Sequence, residues 1–328
     1  MGVCVVICAY TMDRWDDLAI AVGSCLAQTL KPEEVIVVID HNEELLQRAS
    51  LELTGALVVA NRLTKGLSGA RNTGIASSSS DVVAFLDDDA YAQSDWLEKL
   101  MGPLADPKVA GVGGWILPDW PDGAPAWFPE TFYWVLGCSY EGQAPGGDRL
   151  RNPIGANMAL RRRVFARVGG FISGVGRIGQ LPLGCEETEI CIRYSTRFPD
   201  EGFVLVRDAV VHHRVPPSRL TWHYFWTRCW AEGLSKATVS LLVGSGAGLA
   251  AERRHLAHSL PRELALSLGS LPRHPRRAAA RIALIVAGTA CVGAGLLKGW
   301  VAMRWTPLEV ASPDLEPPTA LPGDESGS

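Results

Sequence analysis

An α/β fold on a mostly parallel central sheet is predicted by two features of this sequence. Short apolar runs alternate with amphipathic segments through the N-terminal third, the pattern of parallel strands joined by crossover helices. One run, Val82-Val83-Ala84-Phe85-Leu86, ends in Asp87-Asp88-Asp89. A strand buried on both faces reads as such a run, and ligands of open α/β sheets bind beyond the strands' carboxyl ends.

Taken in order, Val3–Cys8 is a strand and Asp16–Ala27 a helix patterned by Leu18, Val22, Cys25 and Leu26. Val35–Ile39 is a second strand ending at Asp40, followed by a helix near Glu43–Leu51. Ala56–Ala60 is a third strand, Leu67–Ala76 a helix, Val82–Leu86 the fourth strand and Asp95–Leu104 a helix. No G-x-G-x-x-G follows the first strand and no G-x-x-x-x-G-K-[ST] occurs, so dinucleotide and P-loop readings lose support. From Ala110 to Arg163 the chain is rich in Gly, Pro and Trp, as expected of loops and short strands lining a pocket. Glu186-Glu187-Thr188-Glu189 then precedes the apolar-periodic Ile190–Tyr194, which fits a helix N-terminus, where the dipole favours carboxylates. Simple capping accounts for those acids too. Phe203–Val206 and Ala209–Val211 read as strands leading to His212-His213. Ser218 reads as the cap of a helix that packs Trp222, Phe225, Trp226, Cys229 and Trp230 on one face.

Three adjacent carboxylates repel one another, and a fold tolerates them best when a cation joins them. Mg²⁺ or Mn²⁺ carrying a diphosphate is the expected cation, since hard oxygen ligands suit both ions. A solvated acidic turn capping the next helix is the alternative.

The net charge of −4 argues against a nucleic-acid partner. Eight cysteines without a C-x-x-C pair read as reduced, buried thiols of a cytosolic compartment. No signal peptide precedes the first strand, so the catalytic part is expected to stay where it is made. Near the C-terminus, Arg253, Arg254, Arg262, Arg273, Arg276, Arg277 and Arg281 precede the apolar stretch Ile282–Leu297. About 20 apolar residues span a bilayer, so this stretch is short unless it continues through Met303. Membrane contact through 273–304 is expected, with the basic flank on the cytoplasmic side if the helix spans. A helix in the interface plane or an ordinary packed helix are the alternatives. The acidic, Pro-rich stretch after Thr306 is expected to be disordered.

Several strings together resemble the family 2 glycosyltransferases over roughly residues 3 to 240. They are Val5-Val6-Ile7-Cys8-Ala9-Tyr10, Val37-Val38-Ile39-Asp40, Gly69-Ala70-Arg71-Asn72-Thr73-Gly74 and Phe85-Leu86-Asp87-Asp88-Asp89. Gly155-Ala156-Asn157-Met158-Ala159-Leu160-Arg161-Arg162 and Gly184-Cys185-Glu186-Glu187-Thr188-Glu189 complete the set. The resemblance implies a GT-A nucleotide-sugar-binding fold, to which the basic and apolar run adds a C-terminal helical, membrane-associating segment. It implies a catalytic domain over 1–245, with a nucleotide-binding half (1–105) and an acceptor-binding half (106–245). The basic and apolar segment covers 246–305 and the tail 306–328. Trp134-Val135-Leu136-Gly137-Cys138-Ser139-Tyr140 and Arg151-Asn152-Pro153-Ile154-Gly155 resemble a subgroup that transfers glucuronate to glucosyl-dolichyl phosphate.

Carried over by position, the resemblance implies a loop of Ala9, Tyr10 and Thr11 around the nucleotide base, with Tyr10 packed on it. Asp40 would accept a hydrogen bond from uracil N3–H, making a UDP-sugar the expected donor. Arg71 would contact base or phosphate, with Arg14 and Lys65 as further candidates. Asp87 would touch the ribose side, beside Asp88, while Asp89 ligates the metal, Mn²⁺ or Mg²⁺. Asp87 and His213 are further metal ligands, His212 a lesser one. Glu187 stands where the family motif usually has the Asp that serves as general base, and Glu186 shares that expectation. Trp115 and Asn157 are candidates for binding sugar or acceptor. The processive members carry Q-x-x-R-W, whereas this chain has Trp226-Thr227-Arg228-Cys229-Trp230, which argues for one sugar per encounter. A glycan or polyprenyl-linked acceptor at the cytoplasmic face of the membrane is then expected. A sugar-nucleotide pyrophosphorylase is the first rival, but Ala9-Tyr10-Thr11-Met12-Asp13-Arg14 lacks the Gly-rich loop of those enzymes. A non-catalytic nucleotide-sugar-binding module is the second.

Overall fold

The structure, a computed structural model, describes residues 1–121, 123–125, 127–144, 148–173, 184–244, 248–249, 253, 256–257 and 260–305. The tail expected after Thr306, and parts of the 246–305 segment, lie outside the described residues.

The N-terminal half alternates as expected: β1 (Val3–Ala9), α1 (Trp15–Leu26), β2 (Glu34–Ile39), α2 (Glu43–Glu52), β3 (Leu57–Ala60), α3 (Leu67–Ala76) and β4 (Val82–Asp87). Then follow β5 (Ala90–Ala92), α4 (Trp96–Met101), β6 (Val109–Asp119), β7 (Arg149–Leu150), β8 (Asn157–Arg161) and α5 (Arg162–Val168). The order closes with α6 (Glu186–Arg197), β9 (Gly202–Arg214), α7 (Trp222–Val243), α8 (Leu260–Ser270) and α9 (Pro275–Trp305). Strands line up as β3-β2-β1-β4-β8-β6-β9-β5, with β7 on β9. β1, β2, β3 and β4 pair in parallel, whereas β8 is antiparallel to both β4 and β6.

Alternate β1 side chains serve two cores: Val3, Val5 and Ile7 face the helix α1 side, Cys4 and Val6 the opposite side. Register sets the site. Pairing of Ala9 with Ile39 and of Cys8 with Asp87 brings the ends of β1, β2 and β4 to one edge. Pairing of Ala90 with His213 brings β9 to the same edge just after Asp89.

Three expectations need correction. The region from Ala110 to Arg163 contains the eleven-residue strand β6, longer than the short strands expected there. Its glycines conceal it by weakening strand propensity. They are required by packing: a Cβ at Gly114 would stand 2.2 Å from the Ala209 carbonyl oxygen. The two strands expected over Phe203–Val211 are one, β9, interrupted by a bulge where Gly114–Trp115 pair with Val206 and Val210. The exposed Arg207 and Asp208 lie in that bulge and break the apolar pattern. The cap of α7 is Thr221, whose hydroxyl accepts from Tyr224 N at 3.2 Å, while Ser218 lies in the preceding turn. On α7, Phe225 and Cys229 are core residues, whereas Trp222 and Trp230 are exposed.

Helix α9, 31 residues long, runs about 46 Å at 1.5 Å per residue. Within Pro275–Met303 the most apolar 18-residue window has a mean hydropathy of 1.9, and the helix is long and apolar enough to cross a bilayer by length and composition. Yet α9 lies along α7, and glycines let the backbones touch. A Cβ on Gly233 would stand 2.2 Å from the Val292 carbonyl oxygen, and one on Gly295 2.4 Å from that of Trp230. Overpacking such a contact typically costs about 1–3 kcal/mol. Gly233→Leu is therefore expected to lower the urea midpoint, and an unchanged midpoint would show that the crossing is loose. The outer side of α9 leaves Val286, Leu297 and Val301 exposed.

Candidate functional site

The carboxyl edge of the sheet forms the wall of a cavity of about 430 Å³. Ala9, Tyr10, Asp40, Arg71, Asp87, Asp88, Asp89, Glu186, Glu187 and His213 all line it. Both acidic clusters therefore face one space, joined by a single guanidinium. Arg71, buried on α3, places Nη1 2.7 Å from Glu186 Oε1 and Nη2 3.8 Å from Asp87 Oδ1.

Asp89, just beyond β4, is held by three cations. His213 Nε2 lies 3.1 Å from Oδ1; Arg219 Nη2 and Arg14 Nη1 lie 2.9 and 3.1 Å from Oδ2. Burial raises the proton affinity of Asp89, but these cations outweigh it and hold its pKa well below the usual carboxylate range. Burial lowers that of His213; the Asp89 carboxylate outweighs this and lifts its pKa to about 10. Burial and the neighbouring Asp89 charge push Asp88 up to about 7, with Arg14 Nη1 2.8 Å from Oδ1 opposing. Its Oδ2 is buried without a partner.

Ligand atoms of Asp87, Asp89 and His213 lie within 4.8 Å of one another. Two carboxylates, one imidazole and an adjacent orphaned carboxylate oxygen make a donor set that fits Mn²⁺ or Mg²⁺. His212 faces away, stacked on Tyr91 with ring centroids 5.0 Å apart.

The two glutamates differ. α6 starts abruptly because Cys185 adopts a left-handed φ of 82°, a conformation non-glycine residues rarely take outside functional turns. Glu186 turns inward to Arg71, leaving Oε2 buried and unpartnered. Glu187 pairs with no side chain among the described residues. Desolvation, then the Glu186 charge, raise its pKa to about 8.

On the nucleotide side, Asp40 Oδ1 accepts from Asn61 Nδ2 at 2.7 Å and lies 2.9 Å from His41 Nδ1; Oδ2 accepts from Gly66 N at 3.0 Å. A carboxylate offers about four acceptor positions, so one remains. Tyr10 is exposed, with Arg14 over its ring. Lys65 also lines the cavity.

Three expected site residues lie elsewhere. Thr11 caps the turn Met12–Arg14 by accepting from Asp13 N at 3.2 Å and does not line the cavity. Trp115 packs beside the second core with Arg207 over its ring, also away from the cavity. Asn157 is fully buried and structural: it accepts from Trp96 Nε1 at 2.8 Å and donates to the Trp115 and Ala209 carbonyls. Asn157→Ala strands those three groups, each worth about 1–3 kcal/mol when left unsatisfied. A clear loss of urea stability with unaltered nucleotide affinity is expected; weakened affinity at full stability would restore a binding role. Arg219, which the sequence reading passed over, sits on the turn Pro217–Arg219 just after β9. Its only sequence signal was that place, six residues beyond His213.

The family model of Glycosyl transferase family 2 matches residues 4–169. The glucosyl-dolichyl phosphate glucuronosyltransferase of Haloferax volcanii is 35% identical over 246 residues, 74% of this chain and 78% of that protein. A pre-mycofactocin glycosyltransferase of Mycobacterium tuberculosis is 51% identical over 49 residues, 15% of this chain and 10% of its own length. Among solved structures, the mannosyltransferase PcManGT of Pyrobaculum calidifontis, in complex with GDP-Man and Mn²⁺, superposes with a TM-score of 0.59 at 19% identity. The match covers 92% of this chain and 87% of that one, and shows the shared GT-A fold. With these likenesses added to the sheet order and the site, the chain is a glycosyltransferase and belongs to glycosyl transferase family 2.

Proposed function

We propose that this enzyme moves one hexose or hexuronate from a UDP-sugar to a hydroxyl of a glycan or polyprenyl-linked acceptor by a single displacement. The observation that carries the reading is one cavity holding both the Asp87–Asp89–His213 cluster and the unpaired Glu187. A divalent ion bound by that cluster supplies positive charge against the departing diphosphate.

The protein's own groups do the rest. Asp40 has an acceptor position left for a base N–H, and Tyr10 offers an exposed ring for stacking. Glu187 removes the acceptor hydroxyl proton as that oxygen bonds to the anomeric carbon. The bond from that carbon to the β-phosphate oxygen breaks, and UDP leaves with the electron pair. Glu187 is assigned as base over Glu186 because Arg71 ties up Glu186, whereas a pKa near 8 makes Glu187 a competent proton acceptor. The acceptor class follows the 35% identical relative, which by name acts on glucosyl-dolichyl phosphate. The exposed apolar side of α9 and its arginine-rich start support seating on an anionic membrane surface.

Thermal unfolding with UDP, GDP and their sugars, each with and without Mn²⁺, tests this reading. Metal-dependent protection by UDP compounds is expected. Protection by GDP compounds alone would overturn the donor assignment, and indifference to metal would overturn the role of the aspartates.

A further inference from the structure

Asp40, His41 and Asn42 link β2 to α2, and the link is held at both ends. Asn42 caps α2 by accepting from Leu45 N at 3.0 Å, and it donates to the Tyr10 carbonyl at 3.1 Å, which ties the link to the loop after β1. Between them His41 takes a left-handed φ of 52°, a conformation few non-glycine residues adopt. Its ring Nδ1 stands 2.9 Å from Asp40 Oδ1. A carboxylate only accepts, so Nδ1 carries the proton and donates. Asn61 Nδ2 donates to the same oxygen at 2.7 Å. The buried Asn61 amide is itself locked: Nδ2 also donates to the Thr64 carbonyl at 3.2 Å, and Oδ1 accepts from Leu63 N at 3.0 Å and from the Thr73 hydroxyl at 2.8 Å. Both amide hydrogens and both lone pairs are thereby used. On Asp40, Oδ1 has both of its acceptor positions filled, while Oδ2 takes Gly66 N at 3.0 Å and keeps one. Asp40 lines the donor cavity, whereas His41 does not.

Resting on the proposed contact between Asp40 and the nucleotide base, we propose that His41 sets base specificity. By filling the second position on Oδ1, it leaves Asp40 able to take one base donor and no more. Uracil offers one, N3–H, between two carbonyls. Guanine offers two side by side, N1–H and the N2 amine, a pair that a free carboxylate accepts with both oxygens at once. The second guanine donor meets an oxygen already filled, so it is either buried unpaired or has to displace His41. Both courses cost affinity. His41 acts as a positioning residue, through Asp40 and without touching the base. Asn61 has no hydrogen bond to spare and cannot yield its place. The His41 side chain is 40% exposed, so it is the partner of Asp40 that a substitution removes without opening the core.

Calorimetric titration of the full chain with UDP and with GDP, each in the presence of Mn²⁺, reads the ratio of the two affinities. Wild type is expected to bind UDP roughly tenfold or more tightly than GDP, the worth of one donor left unpaired. His41→Gly suits the left-handed φ and removes the ring. It should bind GDP roughly tenfold more tightly than wild type does, with UDP affinity little changed, so that the ratio collapses. His41→Asn tolerates the same φ and carries its Nδ2 as many bonds from the backbone as the histidine Nδ1, so it should keep the wild-type ratio. A merely structural His41 would shift both nucleotides and the Tm together and leave the ratio alone. A wild-type ratio in His41→Gly, or a ratio collapsed equally in His41→Asn, would overturn the assignment. If wild type prefers UDP and the ratio ignores residue 41, the role of His41 alone fails. If wild type prefers GDP or binds neither nucleotide, the donor reading fails and this role with it.

Discussion

Replacing Glu187 by glutamine is expected to cut sugar transfer roughly a thousandfold, the usual contribution of a positioned general base, while UDP and metal bind as in the wild type. The expectation rests on the contrast with its neighbour. Glu186 is locked to Arg71 at 2.7 Å, while Glu187 faces the cavity without a side-chain partner. The pH dependence carries the same signature. A base works only when deprotonated, so kcat/KM of the wild type should fall as pH drops below about 8. Stability should move the other way. With a folded pKa of about 8 against an ordinary 4.5, the folded state binds the extra proton between those values, so Glu187 costs stability as pH rises from 4.5 through 8. Glu187→Gln removes that cost. Its Tm should exceed the wild-type value at pH 8, and the gap should close toward pH 5. Wild-type turnover by Glu187→Gln would remove the residue from the mechanism.

Removing the Asp89 carboxylate is expected to have the second large effect, on binding and folding together. Asp89→Ala strands Arg219 and His213 around a buried vacancy of charge while Arg14 keeps only Asp88, and breaking buried pairs in this way costs about 3–5 kcal/mol. Metal-dependent protection by UDP should vanish. Asp89→Asn keeps the volume and some hydrogen bonds, so it should unfold later than the alanine variant yet still lose the metal dependence. Retained metal dependence in both variants would show that other residues hold the ion. Calorimetric titration of UDP with and without Mn²⁺ measures this directly.

The aspartate trio and the glutamate pair were legible because each marks the end of a regular element. A continuous apolar run announced β4, and acids before an apolar period announced α6. What joins them was not legible. The Arg71–Glu186 pair spans 115 positions and the Arg219–Asp89 pair 130, and no local pattern encodes contacts of that range. The string around Asn157 matches a family motif, but nothing local shows that its side chain meets Trp96 and two backbone carbonyls. β6 was hidden by glycines that exist for close packing, and the bulge at Arg207-Asp208 split β9 in the reading. The apolar stretch Ile282–Leu297 is the middle of α9, which begins in the basic flank at Pro275 and continues past Lys298 to Trp305.

In the proposed reading Glu187 is the base, without a side-chain partner among the described residues, and one displacement leaves no covalent sugar on the enzyme. The anomeric configuration of the new glycosidic linkage, read by proton NMR, tests that claim most directly. A UDP-α-sugar is expected to give a β-linked product. An α-linked product would mean retention, by two displacements or by attack on the leaving-group face, and would contradict the role given to Glu187.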